Sequence, residues 1–154
     1  GALTTAFAFL VGDSGRVTSY EQREQMQNLA RNNLRRVGLL ERVELKLGDA
    51  ADGFSERDVD AIFYDLPNPY DYIPQAKASL KLGGFLGMIL PTTNQVNKVL
   101  PELLVNNFAF VEVCELMLRF YKPDWERFRP TDRMVAHTGY LVYGRSVMER
   151  PEEE

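Results

Sequence analysis

Three acidic residues stand where a chain most readily does chemistry. Glu21, Asp49 and Asp65 each close a separate run of strand-forming residues. A carboxylate there accepts hydrogen bonds from ligand hydroxyl or amino groups, and one such group takes both hydroxyls of a ribose while another takes the amino group of adenine. The set therefore points to a nucleoside-bearing ligand. The spacing agrees, because Gly1 lies 20 residues before Glu21, the separation between a glycine-rich turn and its acidic ribose ligand in nucleotide-binding folds. The plainer reading of any one carboxylate is a cap on the following helix.

Other chemistry-bearing residues carry two readings each. The segment 119–133 sets Arg119, Lys122, Arg127, Arg129 and Arg133 among Phe120, Tyr121, Trp125 and Phe128. That mixture suits looped or single-stranded RNA, with bases stacking and phosphates meeting guanidinium groups, and equally suits a surface loop or subunit contact. Gln95 fits a hydrogen bond near a reacting group or a helix N-terminal cap. His137, the one histidine, falls in a predicted strand and reads as structural. Cys114, the one cysteine, has no disulfide partner within the chain and lies in an alternating apolar run, which predicts a buried, inert thiol. Neither zinc binding nor thiol catalysis is supported.

The elements that must position these residues follow from periodicity and punctuation. Residues 2–11 predict a short, largely buried helix, closed by Gly12-Asp13-Ser14-Gly15. A strand over 16–20 ends at Glu21, and a helix over 21–37 places Met26, Leu29, Ala30, Leu34 and Val37 on one face before Gly38. Strands follow at 43–47 and 60–64, the second apolar enough for burial on both faces. A helix over 72–80, a turn at 81–84, a buried strand over 85–90, a helix over 95–106 and strands at 108–118 and 134–143 complete the order. Strands alternating with helices imply a mainly parallel, doubly wound α/β sheet, and the final helix-free pair implies an antiparallel C-terminal edge strand. Ligands of such sheets bind beyond the carboxyl ends of the strands, where the three acidic residues stand.

Composition bounds the rest. The 154 residues, 45% hydrophobic and 26% charged, describe one ordinary globular domain rather than a disordered chain. The longest apolar runs are six residues, far below the roughly 20 that cross a bilayer. No Lys or Arg precedes the first apolar run, which argues against a signal sequence. A net charge of −4 weighs slightly against nucleic-acid binding and leaves local basic patches open.

Gly1-Ala2-Leu3-Thr4 resembles the end of the glycine-rich first motif of class I S-adenosylmethionine-dependent methyltransferases. Ser19-Tyr20-Glu21 resembles their acidic second motif, Gly48-Asp49-Ala50 the third, and Asp65-Leu66-Pro67-Asn68-Pro69-Tyr70 the fourth. With Leu90-Pro91-Thr92-Thr93-Asn94-Gln95-Val96 and Arg133-Met134-Val135-Ala136-His137-Thr138-Gly139-Tyr140-Leu141-Val142, the set is similar to the tRNA (adenine-58-N1) methyltransferases. The resemblance runs from Gly1 to about Arg145 and implies a Rossmann-like class I methyltransferase fold.

The resemblance implies S-adenosylmethionine as cofactor and tRNA as partner, in a cytoplasmic homotetramer that needs neither membrane nor metal. It assigns cofactor contacts to Gly1, Ala2, Leu3, Glu21, Asp49, Ala50 and Asp65, with Glu21 on the ribose hydroxyls, Asp49 at the adenine end and Gly1 beside the methionine portion. It assigns Asp65 to the target adenine, as the catalytic residue, and Tyr70, Gln95, Arg119, Arg129 and Arg133 to the substrate. Adenine N1 already carries a lone pair, so methyl transfer needs alignment more than a strong base. A carboxylate that accepts from the exocyclic amino group orients the ring and stabilises the developing positive charge.

The chain departs from the family at Asn68 and Tyr70, where an acidic residue and tryptophan are usual, and Tyr70 keeps an aromatic face for stacking. Family members also carry, ahead of the position of Gly1, a first sheet strand and a substrate-recognition region. The expectation is a truncated catalytic domain over 1–147 with a disordered tail over 148–154. Without the first strand its neighbours lose pairing partners, so this stretch alone is expected to bind cofactor poorly and to be inactive. Two other readings stay open: a non-catalytic tRNA-binding subunit, disfavoured by retention of Asp49 and Asp65, and a class I methyltransferase on another substrate, disfavoured by the last two runs quoted.

Overall fold

In the computed structural model, which describes residues 1–133 and 137–148, the chain divides after Gly53 into two units. The first holds α1 (Ala2–Leu10), β1 (Val17–Glu21), α2 (Glu24–Arg36) and β2 (Val43–Leu47). β1 and β2 pair in parallel from Val17 opposite Val43 to Glu21 opposite Leu47, so their carboxyl ends finish level. At the end of α2, Gly38 takes φ +72°, Leu39 N–H reaches Leu34 O at 3.0 Å and Gly38 N–H reaches Arg35 O at 3.2 Å. This pair of bonds satisfies the last helical carbonyls, and the left-handed turn it needs costs glycine little.

Burial in this unit is thinner than the periodicity predicts. On α2 the buried stripe is Gln27, Ala30 and Leu34, while Met26, Leu29 and Val37 remain exposed. The helix turns a narrower and slightly rotated face inward than its apolar residues outline. On α1 only Ala8 is buried, and Phe9 and Leu10 are more than 70% exposed. A nine-residue helix apolar on all sides covers just the face it packs, so the expected burial of 2–11 does not hold.

The second unit begins at Phe54. It contains β3 (Val59–Tyr64), α3 (Ile73–Ser79), β4 (Leu80–Leu90), α4 (Thr93–Val105), β5 (Phe108–Glu115), β6 (Tyr121–Lys122), β7 (Arg129–Pro130) and β8 (Tyr140–Ser146). Its main sheet runs β3-β4-β8-β5, with β3 parallel to β4 and β8 antiparallel to both β4 and β5. The antiparallel pair expected at the C-terminal edge is present, with β5 outermost and β8 one position inward. α3 and α4 supply Ile73, Ala76, Val96, Val99 and Leu103 to a core completed by Leu86, Met88, Leu90, Phe108 and Val142 from the sheet.

Several predicted boundaries shift for identifiable reasons. β3 is an edge strand among the described residues, so only Tyr64 is buried rather than both faces. The turn predicted at 81–84 is an irregularity inside β4: pairing jumps from Val59–Leu80 to Ala61–Phe85, and Gly83 adopts φ +75°. In β5 the register shifts between Ala109 and Glu112 around Phe110, at φ +52°. That shift interrupts the alternation on an outer strand, and Cys114 is exposed instead of buried. β8 starts at Tyr140, not 134, and runs to Ser146; residues 134–136 and 149–154, with most of the predicted tail, lie outside the described residues. The 119–133 segment, predicted as loop, carries the small β6–β7 hairpin.

Behind α3, Lys77 Nζ donates to Asn107 O at 3.2 Å, Ser146 Oγ at 2.8 Å and Val147 O at 2.5 Å. One ammonium thus ties α3 to the start of β5 and the end of β8. No described helix is long and apolar enough to cross a membrane.

Candidate active site

In the first unit, the carboxyl ends of β1 and β2 bring Glu21, Gly48 and Asp49 to one edge. Gly48 N–H donates to Glu21 O at 3.1 Å, which closes the two strand ends together. Glu21 Oε1 accepts from Arg23 N–H at 3.0 Å and Arg23 Nε at 3.2 Å. The Arg23 backbone N–H, with help from its guanidinium, holds the Glu21 carboxyl below the ordinary value, so it is ionised at neutral pH. Both side-chain bonds fall on Oε1, which leaves Oε2 to accept from a ligand hydroxyl. Asp49 Oδ1 caps the 3-10 turn Ala50–Asp52 by accepting from Ala51 N–H at 2.9 Å. The capping role weighed for these acids is therefore real at Asp49.

Gln22, Leu47, Gly48 and Asp49 line an open depression of about 290 Å³ at this edge. A side chain at Gly48 would bring its Cβ to 3.3 Å from the Tyr20 ring, so the turn needs a small residue. Gly1 caps α1 and packs tightly: a Cβ there would lie 2.8 Å from Ala30 Cβ on α2. Ala2 and Leu3 form the first turn of α1, Ala2 exposed and Leu3 half-buried, while Ala50 is buried. Carboxylate acceptors at an edge with an open depression and small residues at the turn can accept hydrogen bonds from ligand hydroxyl or amino groups.

In the second unit, Asp65 follows β3 directly. It is exposed and has no hydrogen bond or ion pair among the described residues. The loop after it is held from several sides. Tyr64 Oη donates to Tyr72 O at 2.7 Å, and burial pushes this phenol's pKa up strongly. Asn68 Nδ2 donates to Asp71 Oδ2 at 2.6 Å and reaches Tyr72 Oη at 3.3 Å. An acidic residue at 68 would set two carboxylates face to face there. Gln95 Nε2 donates to Pro67 O at 2.7 Å.

The other end of the Gln95 amide is also engaged. Its Oε1 accepts from Thr92 N–H at 3.1 Å and Thr92 Oγ1 at 2.7 Å, while Gln95 N–H donates back to Thr92 Oγ1 at 3.3 Å. This capping box starts α4 and leaves Gln95 as the tie between α4 and the Asp65 loop. The Thr-x-x-Gln spacing made the box readable; its reach to Pro67 had no sequence signal. Tyr70 packs against the core, with Lys98 Nζ 4.8 Å over its ring.

The remaining candidates lie elsewhere in the second unit. Arg119 sits 6.0 Å over the Tyr121 ring, which stacks on Phe128 at 5.1 Å across the β6–β7 hairpin. Arg129 reaches Asp132 at 3.9 Å, and Lys122 pairs with the same carboxylate at 2.6 Å. Arg133 is exposed, and its carbonyl accepts from Thr131 Oγ1 at 3.3 Å. The hairpin organises these cations but does not join them to the Gln95 and Pro67 cluster through any bond among the described residues. His137 does join that neighbourhood: Nδ1 lies 2.6 Å from Glu115 Oε1 and Nε2 lies 2.8 Å from Pro91 O.

Residues 1–128 match the family described as tRNA methyltransferase complex GCD14 subunit. The chain is 31% identical to the tRNA (adenine(57)-N(1)/adenine(58)-N(1))-methyltransferase TrmI of Methanocaldococcus jannaschii, in an alignment covering all of this chain and 65% of that protein. Among solved structures, it superposes with TM-score 0.94 and 47% identity on a SAM-dependent O-methyltransferase from Thermotoga maritima, over 99% of this chain and 57% of that one. It superposes with TM-score 0.81 and 38% identity on the tRNA (m1A58) methyltransferase TrmI of Aquifex aeolicus, over 92% of this chain and 57% of that one. The chain thus spans 65% or less of the length of each of these relatives. The fold they share with it is the Rossmann-like class I methyltransferase fold.

Proposed function

Because this chain belongs to the family of the tRNA methyltransferase complex GCD14 subunit, we propose that the whole protein transfers a methyl group from S-adenosylmethionine to N1 of adenine 58 in the T-loop of tRNA. The observation that carries the reading is Asp65, a carboxylate with no partner among the described residues, on a loop fixed by Tyr64, Asn68 and Gln95. A charge kept free of internal partners while its loop is pinned is what recognition of a substrate amino group requires.

The cofactor supplies an electrophilic methyl group when bound. Glu21 would accept from its ribose hydroxyls through Oε2, and the Asp49–Ala50 turn would border its adenine; Gly1, Ala2 and Leu3 would lie toward its methionine portion. In the second unit, Asp65 would accept from the exocyclic amino group of the target adenine and so present N1 for attack. Its negative charge stabilises the positive charge that N1 alkylation places on the ring. No strong base is required before transfer, because the N1 lone pair is the nucleophile. Tyr70, Arg119, Arg129 and Arg133 would contact the tRNA, with Gln95 acting on the loop through Pro67. In this reading residues 1–147 belong to one catalytic domain of a cytoplasmic homo-oligomer, tetrameric as the resemblance implies.

The 47% identity to a protein described as an O-methyltransferase supports a second reading, transfer to oxygen. A hydroxyl must lose its proton to react, so Asp65 would then serve as general base. Nucleoside mass spectrometry of tRNA incubated with the full-length protein separates the two. Formation of 1-methyladenosine, abolished in Asp65→Ala, is the expected result; its absence from the unmutated enzyme overturns the proposal.

A further inference from the structure

The ring of His137 touches acceptors on both sides. Nδ1 meets the Glu115 carboxylate at the end of β5, and Nε2 meets the Pro91 carbonyl just past β4. Neither partner can donate, so both contacts are hydrogen bonds only when both ring nitrogens carry protons. The titratable groups facing the ring among the described residues are Glu115 and Tyr140, whose ring centroid lies 4.7 Å away; the end of β4 contributes a neutral carbonyl. Pro91 precedes Thr92, whose capping box with Gln95 leads to Pro67 O in the Asp65 loop.

We propose that His137 is a positioning residue, an imidazolium bridge between Glu115 and Pro91 that holds the start of α4, and through Gln95 the Asp65 loop, in the geometry for methyl transfer. The inference rests on the proposed function for its catalytic consequence and on geometry alone for the bridge. The Pro91 carbonyl, followed by the Glu115 carboxylate, favours the charged ring and raises its pKa above the ordinary value. The bridge is therefore closed below the raised value and opens as pH rises through it.

The test uses the full-length protein. Ring ¹⁵N signals, assigned to His137 by their loss in His137→Gln, are expected to show an imidazolium that titrates with a midpoint above 6.5. The backbone amides of Leu66 and Gln95 are expected to shift with that same midpoint and to lose the titration in the variant. In activity assays, kcat falls through the same midpoint on the alkaline side; His137→Gln removes that limb and lowers kcat about 10- to 100-fold, with KM for tRNA nearly unchanged. A ring that titrates at or below 6.5, or amides of Leu66 and Gln95 that ignore its titration, overturns the bridge. A full-length protein that makes no 1-methyladenosine defeats the proposed function instead, and the two NMR readouts still decide the bridge.

Discussion

The two units hold their candidate carboxylates by opposite means. In the first, each acid is fixed by its own turn: Glu21 by Arg23 and Asp49 by Ala51, both two residues on. In the second, Asp65 makes no such local bond, and its loop is tied by Gln95 to Pro67 across 28 positions. The burial behind them differs in the same direction. The first unit buries little beyond Ala8, Ala30, Leu34 and Ala50 over a two-stranded sheet, whereas the second packs two helices against four strands. Two strands alone give a marginal scaffold, so the first unit relies on turn chemistry and the second on tertiary packing.

The largest expected effect tests the packing side. Leu86→Ala in the sheet core should cost about 4 kcal/mol in urea unfolding, and Leu34→Ala, fully buried but outside that core cluster, about 2 kcal/mol. Equal costs would break the comparison. Asp65→Asn comes next: kcat for 1-methyladenosine formation should drop about 100-fold, near 2.7 kcal/mol, with the melting temperature unmoved because Asp65 has no partner among the described residues.

Smaller effects sharpen the contrast between distant and local ties. Gln95→Ala removes the capping box and the bond to Pro67 and should cost about 1.5 kcal/mol, against about 1 kcal/mol for Asp49→Ala, which loses a single cap. Thermal denaturation of both variants, with methyl transfer in parallel, checks that the Gln95 change lowers kcat while the Asp49 change raises KM for S-adenosylmethionine. The smallest effect depends on pH. Arg23 lowers the Glu21 pKa in the folded chain, so this contribution is present above the unfolded carboxylate value and is lost as pH falls through the folded one. Glu21→Gln should therefore lower stability slightly at neutral pH and lessen the further loss below about pH 4.

The same local-versus-distant division decides how much of the molecule was legible in its sequence. Glu21, Asp49 and the Gly38 stop announce themselves within a few residues, because caps and left-handed turns depend on near neighbours. The alternation of helices and strands was legible for the same reason. The Gln95–Pro67 tie, the two contacts of His137 and the exposure of Cys114 depend on which strands become neighbours and on the register shift around Phe110, and periodicity carries neither. The apolar face of α2 misled in a related way: hydrophobicity outlines what can be buried, and the packing partner selects what is.

Lys77 has a consequence beyond its structural tie. Its ammonium directs all three protons to Asn107, Ser146 and Val147, and desolvation lowers its pKa without providing a lone pair free to react. In the native fold an amine-acylating reagent therefore finds the exposed side chain of Lys98 before that of Lys77. Labelling at Lys77 then times the separation of α3 from the β5 and β8 termini, making this side chain an internal clock for local opening of the second unit.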